Sequence, residues 1–288
     1  MSNPVRPTYL VTGATSGIGE AIATRLAGDG AHVLIGARTV ASGHAAAARL
    51  RSRAPDARLD VVTADLSEMA QVRSLAGQVR QHTARLDGLI LNAAEVRSRR
   101  ELTSEGFEVT FATNHLSGFL LAHLLLPSLM DAAPARIVAL TSSNHAHVKR
   151  LDLDALETGH VQSYSTTKLL NILFVTEFAR RAGKNVVTAN AADPGFVRTN
   201  LGRHATGAFG LFLKATRPFQ DAPEKAAATA LHLATSPEVA STSGGYFAKS
   251  RPGKPSGLSQ DPVIAGRLWD LSAKLLIHKG LAAPDELM

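Results

Sequence analysis

Tyr164 and Lys168 stand four residues apart in Tyr164-Ser165-Thr166-Thr167-Lys168. That spacing predicts a helix with both side chains on one face, about one turn apart. A free phenol, with a pKa near about 10, is a poor acid or base at neutral pH. An ammonium about 4 Å away, at an effective dielectric of about 20, favours the phenolate by about 4 kcal/mol. This is roughly three pKa units, enough to bring the phenol into range for proton exchange with a substrate oxygen. The same spacing also suits an ordinary amphipathic helix whose lysine snorkels to water. What the pair can do depends on its neighbours.

A second cluster lies near the start. Thr12-Gly13-Ala14-Thr15-Ser16-Gly17-Ile18-Gly19 follows an apolar run and opens a helical pattern. Glycines there permit positive φ and a close approach of backbone to ligand. The helix start offers free N–H groups and a positive dipole end to a pyrophosphate, with Thr15, Ser16 and Ile18 in the same turn. Further polar or small groups follow later apolar runs: Arg38, Asp65-Leu66, Asn92-Ala93, Thr141-Ser142-Ser143 and Asp193-Pro194-Gly195. Asp65 either lines a ligand slot or caps the helix behind it. Hydroxyls at the carboxyl end of a parallel strand lie where such sheets bind ligands and can stabilise developing charge. Asn114, in a long helical stretch, is an unusual place for an amide unless it bonds something buried.

These groups need a frame that gathers strand ends at one edge. Nearly continuous apolar runs at Thr8–Thr12, His32–Ala37, Leu59–Ala64, Gly88–Asn92, Arg136–Thr141 and Val186–Ala191 read as strands covered on both faces, with a shorter seventh at Gly245–Ala248. Helical stretches alternate with them, at Ile18–Gly28, Val40–Arg53, Met69–Thr83, Ser104–Met130, Tyr164–Arg181 and Pro223–Thr235. The expected fold class is α/β: a single doubly wound parallel sheet of Rossmann type, flanked by helices. Lys249 to Pro262 reads as a loop before a final amphipathic helix over Ile264–Ile277. One domain spanning 1–288 is the simplest account, with 249–288 as a C-terminal extension.

Composition narrows the chemistry. The 288 residues include no cysteine, which removes disulfides, thiolate catalysis and cysteine-ligated zinc. His145 and His147 form an isolated pair, and no metal is expected. The net charge of +7 suits an anionic ligand. Nucleic acid is not expected, because only Arg97 to Arg100 is densely basic and aromatics are 5%. The longest apolar stretch is broken by His123, Pro127 and Ser128, and no leader or membrane anchor is read before the first strand, so a soluble, cytoplasmic protein is expected.

Taken in order, these motifs resemble the short-chain dehydrogenase/reductase superfamily, whose glycine turn reads TGxxxGxG. The likeness runs from about residue 8 to 248. Within the superfamily it is nearest to retinol dehydrogenase-like members and their bacterial relatives. That likeness rests on Phe111 to Leu116, Ser142-Ser143-Asn144-His145, Lys168 to Phe174 and Arg267 to Ser272. Two departures stand out: Ser117-Gly118 replaces a Gly-His pair, and the Thr-Ser-Ser run offers two serines. The resemblance implies hydride transfer between a nicotinamide cofactor and a carbonyl or alcohol. Its catalytic tetrad would be Asn114, a serine, Tyr164 and Lys168, with Ser142 chosen by count from Arg136 and Ser143 as the alternative. Lys168 would also hold the nicotinamide ribose, and Asn114 would anchor a water.

The remaining turns would bind the cofactor: Gly13 to Gly19, Asp65, Leu66, Asn92, Ala93, Pro194, Gly195, Val197 and Thr199. An acidic residue after the second strand would bind a ribose 2′-hydroxyl, whereas Arg38 can grip a 2′-phosphate, so NADP(H) is expected. Enone reduction and non-catalytic dinucleotide sensing remain alternatives. Glycines and aromatics in 201–222 suggest a substrate lid over a small, largely apolar ligand. The apolar girth of Ser104–Met130 and Tyr164–Arg181 suggests a homodimer, since related enzymes pair through these helices.

Overall fold

A computed structural model describes residues 6–97, 99–160, 163–182, 186–195 and 221–287. Val197, Thr199 and all of the expected lid except its last two residues lie outside the described residues. The strands are β1 (Thr8–Thr12), β2 (His32–Ala37), β3 (Arg58–Thr63), β4 (Gly88–Leu91), β5 (Ala135–Leu140), β6 (Val187–Asp193), β7 (Tyr246–Ala248) and β8 (Arg251–Pro252). They form one sheet in the order β3-β2-β1-β4-β5-β6-β7-β8. Every pairing is parallel except β7 with β8. The order reverses between β1 and β4, so the chain leaves these neighbours towards opposite faces and opens a crevice at their carboxyl ends.

Both faces are covered, which explains the unbroken apolar runs. One face carries α1 (Gly17–Gly28), α2 (Val40–Arg53) and α9 (Pro223–Thr235) over Val11, Val33, Ile35 and Val138. The other carries α3 (Met69–His82), α4 (Val109–Phe111), α5 (Ser117–Leu124), α6 (Leu126–Asp131), α7 (Leu153–Glu157), α8 (Tyr164–Arg181) and α10 (Pro262–His278) over Leu10, Leu34, Leu89 and Ile137. Consecutive strand residues such as Leu10 and Val11 thus enter different cores. Among the described residues no helix is long and apolar enough to cross a membrane.

Two expectations change. Residues 104–130 are not one helix. Leu102 pairs with Glu108 in an antiparallel bridge, helix begins at Val109, and a π-helical turn over Ala112–Leu116 separates α4 from α5. Pro127 then starts α6 as a new helix, since proline offers no N–H to an existing one. The expected loop after residue 248 instead contributes β8 and a 3₁₀ turn over Gly257–Gln260.

α8 is buried on almost every side, with Thr166 to Val175, Glu177 and Phe178 all inside. Its outer face is covered by α10 of the same chain. Trp269 sits among Phe119 (5.0 Å between ring centroids), His123 (4.9 Å) and Phe174 (6.0 Å), with the Arg181 guanidinium 4.8 Å from its ring. Part of the apolar girth that suggested a partner subunit is therefore covered within the chain. The large apolar side chains exposed among the described residues are Val40, Leu102, Met130, Val186, Val263 and Ile277. Replacing Trp269 with alanine removes the α8–α10 packing and should lower unfolding free energy by about 3–5 kcal/mol, read as a shifted urea midpoint.

Candidate active site

A cleft of about 500 Å³ runs along the carboxyl edge of the sheet. Its floor depends on a stitch at the β1–β4 reversal. The Thr12 hydroxyl donates to Ile90 O (3.2 Å) and accepts from Asn92 N (3.0 Å) and Ala93 N (3.1 Å). Asn92 Nδ2 returns to Thr12 O (2.8 Å) and Gly13 O (3.2 Å). Asn92, expected to bind ligand, therefore also serves as a structural clasp.

Gly13 to Gly19, without Ala14, line one wall. Gly13 and Gly17 have φ of +64° and +58°. A Cβ on Gly19 would stand 2.4 Å from Gly13 O, whereas one on Gly17 would enter open space. The first need is for the turn to close and the second for a ligand to approach. Ser16, at the N-cap of α1, makes no side-chain capping bond, whereas Thr39, Asp152 and Ser163 each cap their helices. An uncapped helix start beside a cleft suits a pyrophosphate. The residues present thus fit a dinucleotide.

Tyr164, Lys168, Leu140, Thr141 and Pro194 form the opposite wall. Ser163 accepts from Thr166 N and fixes the start of α8, which puts Tyr164 and Lys168 one turn apart as expected. Lys168 Nζ lies 5.4 Å from the centre of the Tyr164 ring and donates to Leu140 O at 3.1 Å. Asn171 Nδ2 donates to the same carbonyl at 3.1 Å. Burial with one neutral partner lowers the ammonium pKa to about 8. The phenol departs from the sequence expectation. Burial and then the Asp193 carboxylate push Tyr164 up from its ordinary value. Both effects disfavour the phenolate, so the neutral hydroxyl is the favoured form.

Asp193 is buried and well held, Oδ1 accepting from Gly195 N (2.8 Å) and Oδ2 from the Tyr246 hydroxyl (2.6 Å). Ser142 begins the 3₁₀ turn Ser143–His147, its hydroxyl accepting from Asn144 N at 3.2 Å. Accepting leaves its own proton free to donate. His145 bonds Ser142 O through Nδ1 (2.7 Å) and Ser256 N through Nε2 (3.0 Å). Both nitrogens are thus engaged, and the histidine ties two segments together.

Asn114 lies in the π-turn. Its Oδ1 accepts from Glu95 N (2.7 Å), and its Nδ2 donates to Glu95 O (2.9 Å) and Thr167 Oγ1 (3.1 Å). Arg38, Leu66 and Ala93 line the cleft, whereas Asp65, Asn114, Ser142 and Gly195 are not among its lining residues. Asp65 Oδ1 accepts from Ser67 N and Oγ, so the carboxylate shapes the turn leading to α3. Burial opposes ionisation there, but the Ser67 bonds prevail and hold the carboxyl below its usual range. The sequence reading gave no site role to Glu95, Asn171, Tyr246 or His145, although Asn171 and His145 fall in segments that carry the family likeness. The one signal available was an acid directly after Asn92-Ala93-Ala94, inside the expected ligand turn.

Comparison with known proteins agrees with this arrangement. The family model for short chain dehydrogenases matches residues 7–207, and the chain belongs to that family. Within it the chain stands close to retinol dehydrogenase-like proteins. It is 38% identical over 282 residues to mouse (Mus musculus) retinol dehydrogenase 14, covering 92% of this chain and 84% of that one. Identity to human (Homo sapiens) retinol dehydrogenase 13 is 35% over 289 residues, covering 96% and 86%. Among solved structures, an uncharacterized protein from Mycobacterium paratuberculosis superposes with a TM-score of 0.74 at 29% identity, covering 94% and 93%. A 3-oxoacyl (acyl-carrier-protein) reductase from Agrobacterium tumefaciens, with NADP bound, gives 0.66 at 27%, covering 84% and 92%.

The depressed lysine has a measurable sign. Between about pH 8 and its ordinary 10.5, the unfolded chain holds a proton that the folded chain has released, so Lys168 makes stability rise with pH there. Ligand affinity runs the other way, because the negative charge that a dinucleotide brings into the cleft favours the cation. Affinity for a nicotinamide dinucleotide should fall as pH rises through about 8, and Lys168→Met should bind weakly without that step. Fluorescence titration checks this, and a flat wild-type profile across the range would refute it.

Proposed function

We propose that the protein transfers hydride between NADP(H) and a small, largely apolar carbonyl or alcohol, with Tyr164 exchanging the proton. The observation that carries this reading is one cleft holding both the uncapped glycine-rich start of α1 and the Tyr164–Lys168 face of α8. Arg38, Thr39 and Ser42 lie in the same cleft beyond β2 and suit a 2′-phosphate. The related reductase with NADP bound supports the same choice.

A bound nicotinamide supplies or accepts the hydride. The protein does the rest. In reduction, Tyr164 Oη gives its proton to the substrate oxygen as the carbonyl carbon gains the hydride. Lys168 then lies beside the phenolate, lowering the cost of its charge. The Ser142 hydroxyl donates a hydrogen bond to that same oxygen. Asn114 acts at one remove, fixing Glu95 and Thr167 beside the cleft. Its side-chain N–H groups are occupied, so a relay water would meet its oxygens instead.

NADPH oxidation against ketones, aldehydes, quinones, enones and retinaldehyde tests the reading. Turnover of enones alone would overturn the carbonyl assignment. Tyr164→Phe should cut kcat by about 10²–10⁴-fold with little change in NADPH affinity, and retention of a tenth of the rate would refute its role. Ser142→Ala should lower kcat at least about tenfold through a lost donor to the substrate oxygen, whereas Ser143→Ala keeps most of the rate. The reverse ranking in steady-state assays would move the role to Ser143.

A further inference from the structure

We infer that Glu95 sets the cofactor selectivity of the cleft by competing with a ribose 2′-phosphate for Arg38. This rests on the proposal that the cofactor is NADP(H).

Arg38 Nη2 lies 3.2 Å from Glu95 Oε2, and its Nε lies 3.9 Å from Asp65 Oδ2. Both Arg38 and Glu95 belong to the cleft wall. The cation expected to meet the phosphate is therefore already shared between two carboxylates. The partners differ in freedom. The Glu95 side chain is 14% exposed and that of Arg38 57%. Glu95 is fixed through its main chain, held on both sides by the Asn114 amide, and its Oε1 is gripped by Arg97 Nη2 at 2.7 Å. Arg38 is thus the mobile member of the pair and Glu95 the stationary one.

A 2′-phosphate must draw Arg38 from Glu95 and settle near a carboxylate that cannot retreat. Arg97 is placed to keep Glu95 compensated when Arg38 leaves. NADH carries a hydroxyl at that position and leaves the ion pair undisturbed. Glu95 therefore penalises NADPH selectively, and selectivity for NADPH is the residue of Arg38's attraction after that penalty. An exposed ion pair of this kind is worth about two- to fivefold in an equilibrium constant.

The test measures dissociation constants for NADPH and NADH by calorimetry on wild type, Glu95→Gln, Arg38→Ala and the double variant, with melting temperatures alongside. Glutamine keeps the shape and the main-chain bonds to Asn114, and Glu95→Ala provides a second removal of the charge. Both Glu95 variants should raise the NADPH-over-NADH affinity ratio about two- to fivefold, and most of that gain should vanish without Arg38. An unchanged or lowered ratio, or an equal gain in the Arg38→Ala background, overturns the inference. A wild-type preference for NADH instead overturns the NADP(H) reading, and the shift on removing Glu95 charge still reports what Glu95 does.

Discussion

The hydroxyl of Thr12 makes three hydrogen bonds to β4 and its exit, where β1 and β4 part company. At that point successive connections run to opposite faces of the sheet, and without a tie the two strand ends would be free to splay. Asn92 closes the tie from the other side. The glycine turn, the following α1 and the small residues after β4 all take their positions from this joint. The groups on α8 reach the same cleft because β5 neighbours β4 and its last carbonyl, Leu140 O, receives Lys168 and Asn171. Ligand wall and proton-transfer wall thus share one rigid sheet edge.

Electrostatics at that edge are governed by desolvation more than by pairing. Lys168 and Tyr164 are neighbours, yet each is driven towards its neutral form, and the Asp193 carboxylate adds to the effect on the phenol. A ligand that brought negative charge into the cleft would favour the ammonium instead.

The strands were legible because burial on both faces leaves uninterrupted apolar runs, and their ends fell within one or two residues of the observed ones. Tyr164, Lys168 and the glycine turn were legible because each demands particular residue types at fixed spacing. The π-turn at Ala112–Leu116 was not, since its apolar pattern suits an ordinary helix. Nor was the covering of α8 by α10: a sequence shows that a helix has a surplus apolar face, but not which element meets it. The direction of the Tyr164 shift was misread because it depends on burial and on Asp193, distant in sequence and folded alongside. Glu95 looked like a loop acid, and its meaning comes only from the fold, which brings Arg38 across to it.

The chain has one tryptophan, and it lies wedged between α10 and α8. Its emission therefore has a single structural source. Trp269 sits on the outer side of the helix whose first turn carries Tyr164, in contact with Arg181 and His123, so its emission depends on how that seam is packed. Any loosening of that seam reaches the indole before it reaches bulk secondary structure. The protein thus carries its own optical gauge of how firmly the proton-donating helix is seated.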